Sequence, residues 1–368
     1  MMPWLSDLLR SEWGSESMRV FGYLTTRSMM AALTAFVVTI IFGRRTIIWL
    51  FQKKFRDVSE DVLLADASSK RGTPTMGGIM ILGATTFAFL LWSRLSNPFG
   101  WLGLAGFLWF GMVGLADDYL KVRAGASRGG LSERMKFLLQ IIFAVVFTTI
   151  YIHPALTPFP PGFAGQLFLP MLKVPVADIG WLYFVFAVFV ILAVTNAVNI
   201  TDGLDGLTIV PTITTATVYA IFAYIIGNSV QAQYLQFQFI PGTGELTVLC
   251  AAVAGAGLGF LWFNAYPAEV FMGDTGALAL GGVLATVALL LKQEFLFVIV
   301  GGVFVVEVAS SLIQGKIGEN IAGRRLLYRA PVHLTFRHLG VAEPRVVVRF
   351  WIISIMLALL GLLTIKVR

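Results

Sequence analysis

Long apolar segments separated by short polar ones recur along the whole chain. Ten of them are long enough, or nearly so, to form helices that cross the roughly 30 Å hydrocarbon core of a bilayer, which takes about 20 residues. The predicted spans are residues 28–50, 76–93, 100–116, 135–153, 179–198, 206–227, 246–263, 275–291, 295–314 and 348–365. The pattern therefore predicts an all-α polytopic integral membrane protein with ten transmembrane helices.

The first twenty residues follow a different pattern. Apolar residues recur there at helical spacing among acidic ones: Trp4, Leu5, Leu8, Leu9 and Trp13. This is typical of an amphipathic helix lying in the membrane interface, although a frayed terminus explains the segment equally well. It lacks the basic start and the small-residue cleavage site of a signal peptide. We expect residues 1–368 to form a single transmembrane domain, with residues 1–20 at the interface.

Composition narrows the class of protein further. Hydrophobic residues make up 57% of the 368 residues and charged residues 13%, about half the charged fraction of soluble domains. A soluble enzyme is excluded, and the single cysteine, Cys250, excludes a disulfide scaffold. In a membrane protein the net charge of +7 indicates basic cytoplasmic loops that lie near anionic lipid headgroups. No basic and aromatic residues interleave as in RNA-binding sheets, so we expect no nucleic acid partner.

The basic residues also predict the orientation. The loops after the odd-numbered spans hold nineteen lysines and arginines, whereas those after the even-numbered spans hold three. Positively charged loops stay in the cytoplasm. We therefore expect the odd-numbered loops to be cytoplasmic and both termini to face outward.

Polar residues inside the membrane or at its rim cost free energy, so each group of them needs an explanation. The first group is K-R-G-T-P-T-M-G-G, from Lys70 to Gly78, which is either a phosphate-binding turn or a basic loop flank. The second is the adjacent pair Asp117 and Asp118. A divalent cation or a shared proton would relieve their repulsion, but an exposed helix end would too.

The third and fourth groups consist mainly of oxygen-bearing side chains. Asn196, Asn199, Asp202 and Asp205 recur at every third position, which lines one face of a turn with ligands that suit Mg²⁺. An N-cap would explain one aspartate but not the register of four residues. The fourth group comprises Asn264, Glu269, Phe271 and Asp274 before an apolar span. There Asp274 is either a ligand or a cap, and Phe271 is either core packing or a stacking platform.

The fifth group contains His333 and His338 in the last basic loop. All five groups fall in odd-numbered loops, on the predicted cytoplasmic side. Unrelated helix caps would fall on both sides. We therefore expect one shared site at the cytoplasmic face, whose carboxylates, amides and basic residues suit Mg²⁺-dependent chemistry on phosphates.

These motifs resemble those of a known family. D-D-Y, N-x-x-N-x-x-D-G-x-D-G and F-M-G-D are typical of the polyprenyl-phosphate N-acetylhexosamine-1-phosphate transferases. K-R-G-T-P-T-M-G-G and E-P-R-V-V-V-R-F-W-I-I-S are more particular to the bacterial phospho-N-acetylmuramoyl-pentapeptide-transferases. The chain resembles that family from about residue 20 to its last residues.

The resemblance implies the fold and the reaction. It implies ten transmembrane helices and a homodimer in the bacterial inner membrane. The outward-facing termini predicted from the basic loops would then be periplasmic, and we expect a single transferase domain. The reaction passes phospho-MurNAc-pentapeptide from UDP-MurNAc-pentapeptide to undecaprenyl phosphate, giving lipid I and UMP, with Mg²⁺ as cofactor.

The resemblance also implies a role for each matched residue. Asp274 is the principal metal ligand, helped by Asn199 or Asp117, and Asp117 and Asp118 are the acidic pair at the reacting phosphates. His333 matches the first histidine of a C-terminal motif and is expected to be catalytic. The expected substrate-binding residues, with Phe271 packing on uracil, are Lys70, Thr75, Asn196, Asn199, Asp202, Asp205, Asn264 and Phe271.

The chain departs from the family at the histidine motif. Three consecutive histidines are usual, whereas this chain has His333, Leu334 and Thr335, and His338 is an alternative for the missing ones. The alternatives to the expected function are a sister transferase that uses another UDP-HexNAc donor, an ion-coupled transporter and a lipid-binding or scramblase scaffold. Transporter sites belong near the midplane, and these acids lie at one rim.

Overall fold

The computed structural model describes residues 1–4, 20–55, 72–125, 129–321 and 323–367. Within them the chain is mostly helical. The helices are α1 Leu24–Gln52, α2 Gly78–Trp92, α3 Pro98–Ala124, α4 Glu133–Ile152, α5 Leu182–Thr201, α6 Ile209–Ile226, α7 Ser229–Tyr234, α8 Glu245–Asn264, α9 Gly273–Leu290, α10 Leu296–Val300, α11 Gly302–Leu312, α12 Val332–His338 and α13 Glu343–Leu363. The short strands β1 Gln166–Leu167 and β2 Ala177–Asp178 pair antiparallel. Most of the predicted amphipathic helix over residues 1–20 lies outside the described residues.

Eight of the described helices are long and apolar enough to cross a membrane. They are α1, α3, α4, α5, α6, α8, α9 and α13. α2 coincides with the second predicted span but has only 15 residues, which rise about 22 Å. These helices make the chain a polytopic, mostly helical membrane protein.

The ninth predicted span, residues 295–314, is not one continuous helix. α10 ends at Val300, Gly301 has φ −94° and ψ 17°, and α11 begins at the next residue. After Leu312 the chain continues as a π-helix, Ile313–Ile321. Two adjacent glycines leave the backbone free to depart from helical geometry at this point, because neither carries a Cβ atom.

α9 is the central helix of the bundle. Every residue from Thr275 to Leu290 is buried. Small residues let α3 approach it closely: a Cβ atom on Gly106 would lie 2.5 Å from Thr286, and one on Gly282 would lie 2.4 Å from Phe110. Such stripes of small residues are typical of packed helix pairs in membranes. The close packing fixes the position of α9 against α3 along its length.

The outer helices present apolar side chains at the surface. Met29, Leu33, Val37 and Ile41 are exposed along one face of α1 at intervals of four residues. Large apolar residues are likewise exposed on α13, among them Ile352, Ile355, Met356 and Leu359. Water does not favour surfaces of this size and composition, whereas lipid does. This exposure agrees with a membrane as the surrounding solvent.

The two ends of the bundle hold different polar clusters. At one end Arg27 of α1 donates to both carboxylate oxygens of Glu245, the first residue of α8, at 2.8 and 2.7 Å. Glu245 also accepts from the Ser93 hydroxyl and the Arg94 amide, which follow α2. We call this set the far-end clamp. The polar groups predicted as a site lie at the other end of the bundle, where α8 ends and α9 begins.

Candidate active site

Asp118 of α3 contacts the first turn of α9 and joins the two helices. Its carboxylate accepts hydrogen bonds from the backbone amides of Asp274 and Thr275, at 3.2 and 2.9 Å, and from the Thr275 hydroxyl at 2.7 Å. Asp118 therefore satisfies amides of the first turn of α9, which would otherwise lack acceptors. This arrangement holds the start of α9 beside the acidic pair of α3.

Glycines allow the close approach at this junction. Gly273 has φ +71°, and a Cβ atom there would lie 2.5 Å from an Asp118 carboxylate oxygen. A Cβ atom on Gly114 would lie 2.1 Å from the Asp274 carbonyl oxygen. A side chain at either position would push α9 away from α3. The F-M-G-D motif thus needs its glycine for both backbone geometry and space.

Asp117 and Asp274 share two lysines. Lys121 Nζ lies 2.7 Å from Asp117 Oδ2 and 3.0 Å from Asp274 Oδ2. Lys136 Nζ, from α4, lies 2.7 and 2.8 Å from the same two atoms. The other Asp117 oxygen accepts from the Leu131 amide at 2.7 Å. The side chain of Asp117 is 0% exposed and that of Asp274 is 19% exposed, so Asp274 is the more accessible of these two carboxylates.

The three aspartates form one compact cluster. Asp117, Asp118 and Asp274 each place a carboxylate oxygen within 4.8 Å of the others. Among the described residues, Asn199 Oδ1 is buried and has no hydrogen-bond partner. Asn199 lies in the last turn of α5, which packs against α9. Hard oxygen ligands in this number are the kind that Mg²⁺ uses in proteins.

Asp202 directly follows α5. Burial, together with the negative charges of Asp274 and Asp118, raises the pKa of Asp202 to about 7. A carboxyl group with that pKa can donate or accept a hydrogen bond near neutral pH. Asp202 is thus electrostatically linked to the aspartate cluster.

Asp205 and Asn264 hold two loops together. Asp205 accepts from the Ala268 amide at 3.1 Å. Asn264 accepts from the Gly206 amide at 3.0 Å and donates to the Val270 carbonyl at 2.9 Å. Their side chains therefore join the loop after α5 to the loop between α8 and α9.

The C-terminal helix α13 completes this arrangement. Glu343 accepts from the Asp205 amide at 2.9 Å, and the Trp351 indole donates to the Gly206 carbonyl at 3.0 Å. Both residues belong to the E-P-R-V-V-V-R-F-W-I-I-S segment. That segment therefore supports the loop after α5.

The segment that carries Thr75 lies against the one that carries Phe271. The Phe271 amide donates to the Pro74 carbonyl, and the Gly77 amide donates to the Phe271 carbonyl, each at 2.8 Å. A Cβ atom on Gly273 would lie 3.1 Å from the Thr75 hydroxyl. These backbone bonds bring Thr75 to the start of α9.

Asn196 stands apart from this assembly, and Lys70 cannot be placed relative to it. The Asn196 amide donates to Gln140 at 2.7 Å and to the Leu192 carbonyl at 2.8 Å, so it joins α5 to α4. Lys70 lies in residues 56–71, outside the described residues.

His333 is buried and contacts a residue that the sequence did not single out. Its Nδ1 atom lies 2.9 Å from a carboxylate oxygen of Glu307, on α11. Its Nε2 atom faces Gly203, where a Cβ atom would lie 2.4 Å away. His338 is exposed, and its ring centroid lies 6.3 Å from that of Tyr328.

Thr335 stands where the third histidine of the family motif is expected. Its hydroxyl donates to the Arg329 carbonyl and accepts from the Arg329 amide, the latter at 3.2 Å. Thr335 therefore closes the turn that leads into α12. Leu334 is partly buried beside it.

Sequence reasoning missed several residues of the site. Lys121 stands four residues after Asp117, and that helical spacing could have indicated the ion pair. Thr275 follows Asp274 directly and could have been recognised as part of a helix start. Lys136 and Glu307 carry no such signal, because only the packing of different helices brings them to Asp117 and His333.

Comparison with known proteins identifies the class to which this fold and site belong. A family model described as glycosyl transferase family 4 matches residues 100–292, slightly more than half of the chain. The matched region contains all three aspartates of the cluster and the motif that includes Asn199. The chain is thus a membrane enzyme of the glycosyl transferase family 4 class.

Further matches identify the family within that class. A phospho-N-acetylmuramoyl-pentapeptide-transferase signature matches residues 70–82. Relatives with that name are 46% identical over 95% of both chains in Desulfotalea psychrophila and 45% over 96% in Maridesulfovibrio salexigens. Another, from Nitratidesulfovibrio vulgaris, is 47% identical over 95% of both. The chain belongs to the phospho-N-acetylmuramoyl-pentapeptide-transferase family.

Proposed function

We propose that this chain transfers phospho-MurNAc-pentapeptide from UDP-MurNAc-pentapeptide to undecaprenyl phosphate, giving lipid I and UMP. The observation that carries this proposal is the 45–47% identity, over nearly the whole of both chains, to relatives named for the transfer. The reaction is a membrane step of peptidoglycan synthesis, and we place it in the bacterial inner membrane. Residues 1–368 form one transferase domain in this proposal.

We propose Mg²⁺ as the cofactor. Asp274, Asp117 and Asn199 are suited to hold it, because their oxygens are close together or lack a partner among the described residues. Lys121 and Lys136 each contact both Asp117 and Asp274, so this position already favours positive charge. When bound, the ion would neutralise charge on the diphosphate.

The remaining chemistry is positioning and charge neutralisation, as is general for phosphoryl transfer. An oxygen of the lipid phosphate attacks the β-phosphorus of the donor, and the bond to UMP breaks as UMP leaves with the electron pair. Lys121 and Lys136 are placed to contact the phosphate oxygens, since each ammonium group is only partly buried. Asp118 holds α9, and with it Asp274, in place. His333 is the further catalytic residue of this proposal.

The nucleoside end of the donor is proposed to lie beside the loops held by Asp205 and Asn264. Phe271 supplies a ring there for uracil, and Asp202 can donate or accept a hydrogen bond. Thr75, in the segment just before α2, lines the same region. Lys70 and Asn196 remain predictions from the family motif.

The proposed topology has ten spans, with both termini periplasmic and the site at the cytoplasmic face. The strong excess of lysine and arginine in the odd-numbered loops supports this orientation. α2 and the α10–α11 segment would supply the two spans beyond the eight long helices. The chain is proposed to work as a homodimer.

The test is UMP release by the purified protein in detergent. We expect release from UDP-MurNAc-pentapeptide only when undecaprenyl phosphate and Mg²⁺ are both present. Asp274→Asn and Asp117→Asn should each abolish release while the protein stays folded, because each removes a carboxylate from the cluster. Release from UDP-GlcNAc instead would favour a sister transferase, and substrate-dependent ion flux in liposomes would favour a transporter.

A further inference from the structure

Glu307 is a buried carboxylate that has no role in the proposed reaction so far. It lies on α11 and is 0% exposed. One of its oxygens lies 2.9 Å from His333 Nδ1, and the other accepts the His333 backbone amide at 3.2 Å. The carboxylate thus holds the same residue by both its main chain and its side chain.

α11 fixes the start of α12 in a second way. Ser310, one turn after Glu307, accepts from the Val332 amide at 3.2 Å and donates to the Glu307 carbonyl at 2.8 Å. Amides in the first turn of a helix need acceptors, and here the neighbouring helix supplies two of them. These backbone contacts therefore fix the position of His333 relative to α11, independently of any contact that its ring makes.

The Glu307 contact also determines which ring nitrogen is available. A buried carboxylate accepts hydrogen bonds, so Nδ1 carries a proton towards Glu307. In a neutral imidazole the lone pair then lies on Nε2. Nε2 faces Gly203, in the loop between Asp202 and Asp205, and the absence of a side chain at Gly203 leaves room for the ring.

We propose that Glu307 is a positioning residue that keeps the His333 proton on Nδ1 and presents Nε2 to the loop of the active site. The part of this proposal that concerns turnover rests on the proposed function; the part that concerns the tautomer does not. Carboxylate partners of this kind orient histidines and raise the basicity of the outer nitrogen in other sites.

The variant Glu307→Gln should reverse which ring nitrogen of His333 carries the proton. The glutamine oxygen can still accept the His333 backbone amide, which cannot lose its hydrogen. The side-chain NH₂ group then faces Nδ1, where only a lone pair is acceptable. We therefore expect the proton to move to Nε2, with little change in shape.

The chain allows a direct measurement because it has only three histidines. His153 and His338 are exposed, so a His153→Gln/His338→Gln background leaves His333 as the single ¹⁵N-histidine signal. At a pH where free imidazole is neutral, we expect Nδ1 protonated with Glu307 present and Nε2 protonated in Glu307→Gln. An Nε2-protonated ring in the parent protein, or no reversal in the variant, would overturn the assignment.

Turnover is the second readout. Glu307→Gln should lower kcat/KM for UMP release on the order of 10-fold to 100-fold, as loss of an orienting partner does elsewhere. Its melting temperature should stay close to that of the parent. The control is Glu133→Gln, which removes an exposed carboxylate on α4 and should change neither readout. Unchanged turnover after a proven tautomer reversal would overturn the positioning role.

The two arms separate the inference from the function. The ¹⁵N spectrum needs no substrate, so it stands if the protein proves to use another donor. If the parent protein released no UMP, the proposed function would fail while the tautomer result remained. A normal UMP release with the wrong tautomer would overturn this inference alone.

Discussion

Two ammonium groups lie between the same two carboxylates in this protein. Lys121 and Lys136 each lie within 3.0 Å of both Asp117 and Asp274. Two carboxylates this close and this poorly hydrated repel each other strongly unless cations lie nearby. The lysines therefore stabilise the cluster, and a divalent cation that entered it would compete with them.

We expect Lys136→Met to increase the affinity for a divalent cation and to lower turnover. The variant removes one competing ammonium group from the carboxylates but also one cation that can contact substrate phosphates. Mn²⁺ binding, followed by the loss of its free EPR signal, measures the affinity. Lys53→Met, at an exposed lysine just after α1, is the matched control. Weaker Mn²⁺ binding by Lys136→Met would contradict this account.

For the residues of the site, the sequence predicted which side chains matter better than it predicted what they contact. The oxygen-bearing side chains of the cluster could be recognised because acids beside an apolar run are costly. Their functions in the fold could not: Asn264 joins two loops and Asp118 holds a helix start, which depend on partners distant in the sequence. The sequence also could not tell that His338 is exposed whereas His333 is buried.

Among the elements, α9 carries the main connection between packing and chemistry. It is buried along its length, and its first turn holds Asp274 beside α3. The position of that carboxylate is thus set by the whole helix and not by a flexible loop. Rigid elements place catalytic groups more reproducibly than loops do.

We expect Gly273→Ala to reduce activity far more than the addition of one methyl group suggests. The alanine Cβ would meet Asp118, and φ +71° costs a non-glycine residue about 1–2 kcal/mol. α9 would shift away from α3 and carry Asp274 with it. UMP release and the melting temperature are measured together. Gly83→Ala on α2, where nothing lies within 4 Å, should leave both nearly unchanged. Equal behaviour of the two variants would contradict this role for Gly273.

The apolar segments of the sequence predict the long helices well, because bilayer thickness sets their length. The α10–α11 segment shows where this reasoning fails. Its apolar run has the length of a span, yet Gly301 interrupts the helix and a π-helix follows. Hydropathy records how apolar a segment is, not how its backbone hydrogen bonds are arranged.

At the scale of the whole molecule, the two polar clusters lie at opposite ends of the helical bundle. The far-end clamp joins α1, α8 and the end of α2, whereas the aspartate cluster lies at the other end of the bundle. α8 alone spans 20 residues, about 30 Å, between Glu245 and Asn264. Changes in the clamp should therefore affect folding much more than turnover.

We expect Glu245→Gln to lower the melting temperature markedly and to leave the turnover of the folded fraction near normal. Breaking one partner of a buried ion pair costs about 3–5 kcal/mol, because the other charge stays buried without compensation. Arg27→Met combined with Glu245→Gln should recover part of the loss. Thermal unfolding in detergent checks both. A double variant less stable than the single one would show that the charge pair is not the cause.

The support that α13 gives to the loop after α5 has a consequence for biogenesis. The contacts of Glu343 and Trp351 with Asp205 and Gly206 link segments made far apart in time on the ribosome. A nascent chain that has inserted α1 to α9 already contains the aspartate cluster, yet it still lacks this support. Catalytic competence is therefore expected to arise late in synthesis, when most of the chain is already in the membrane.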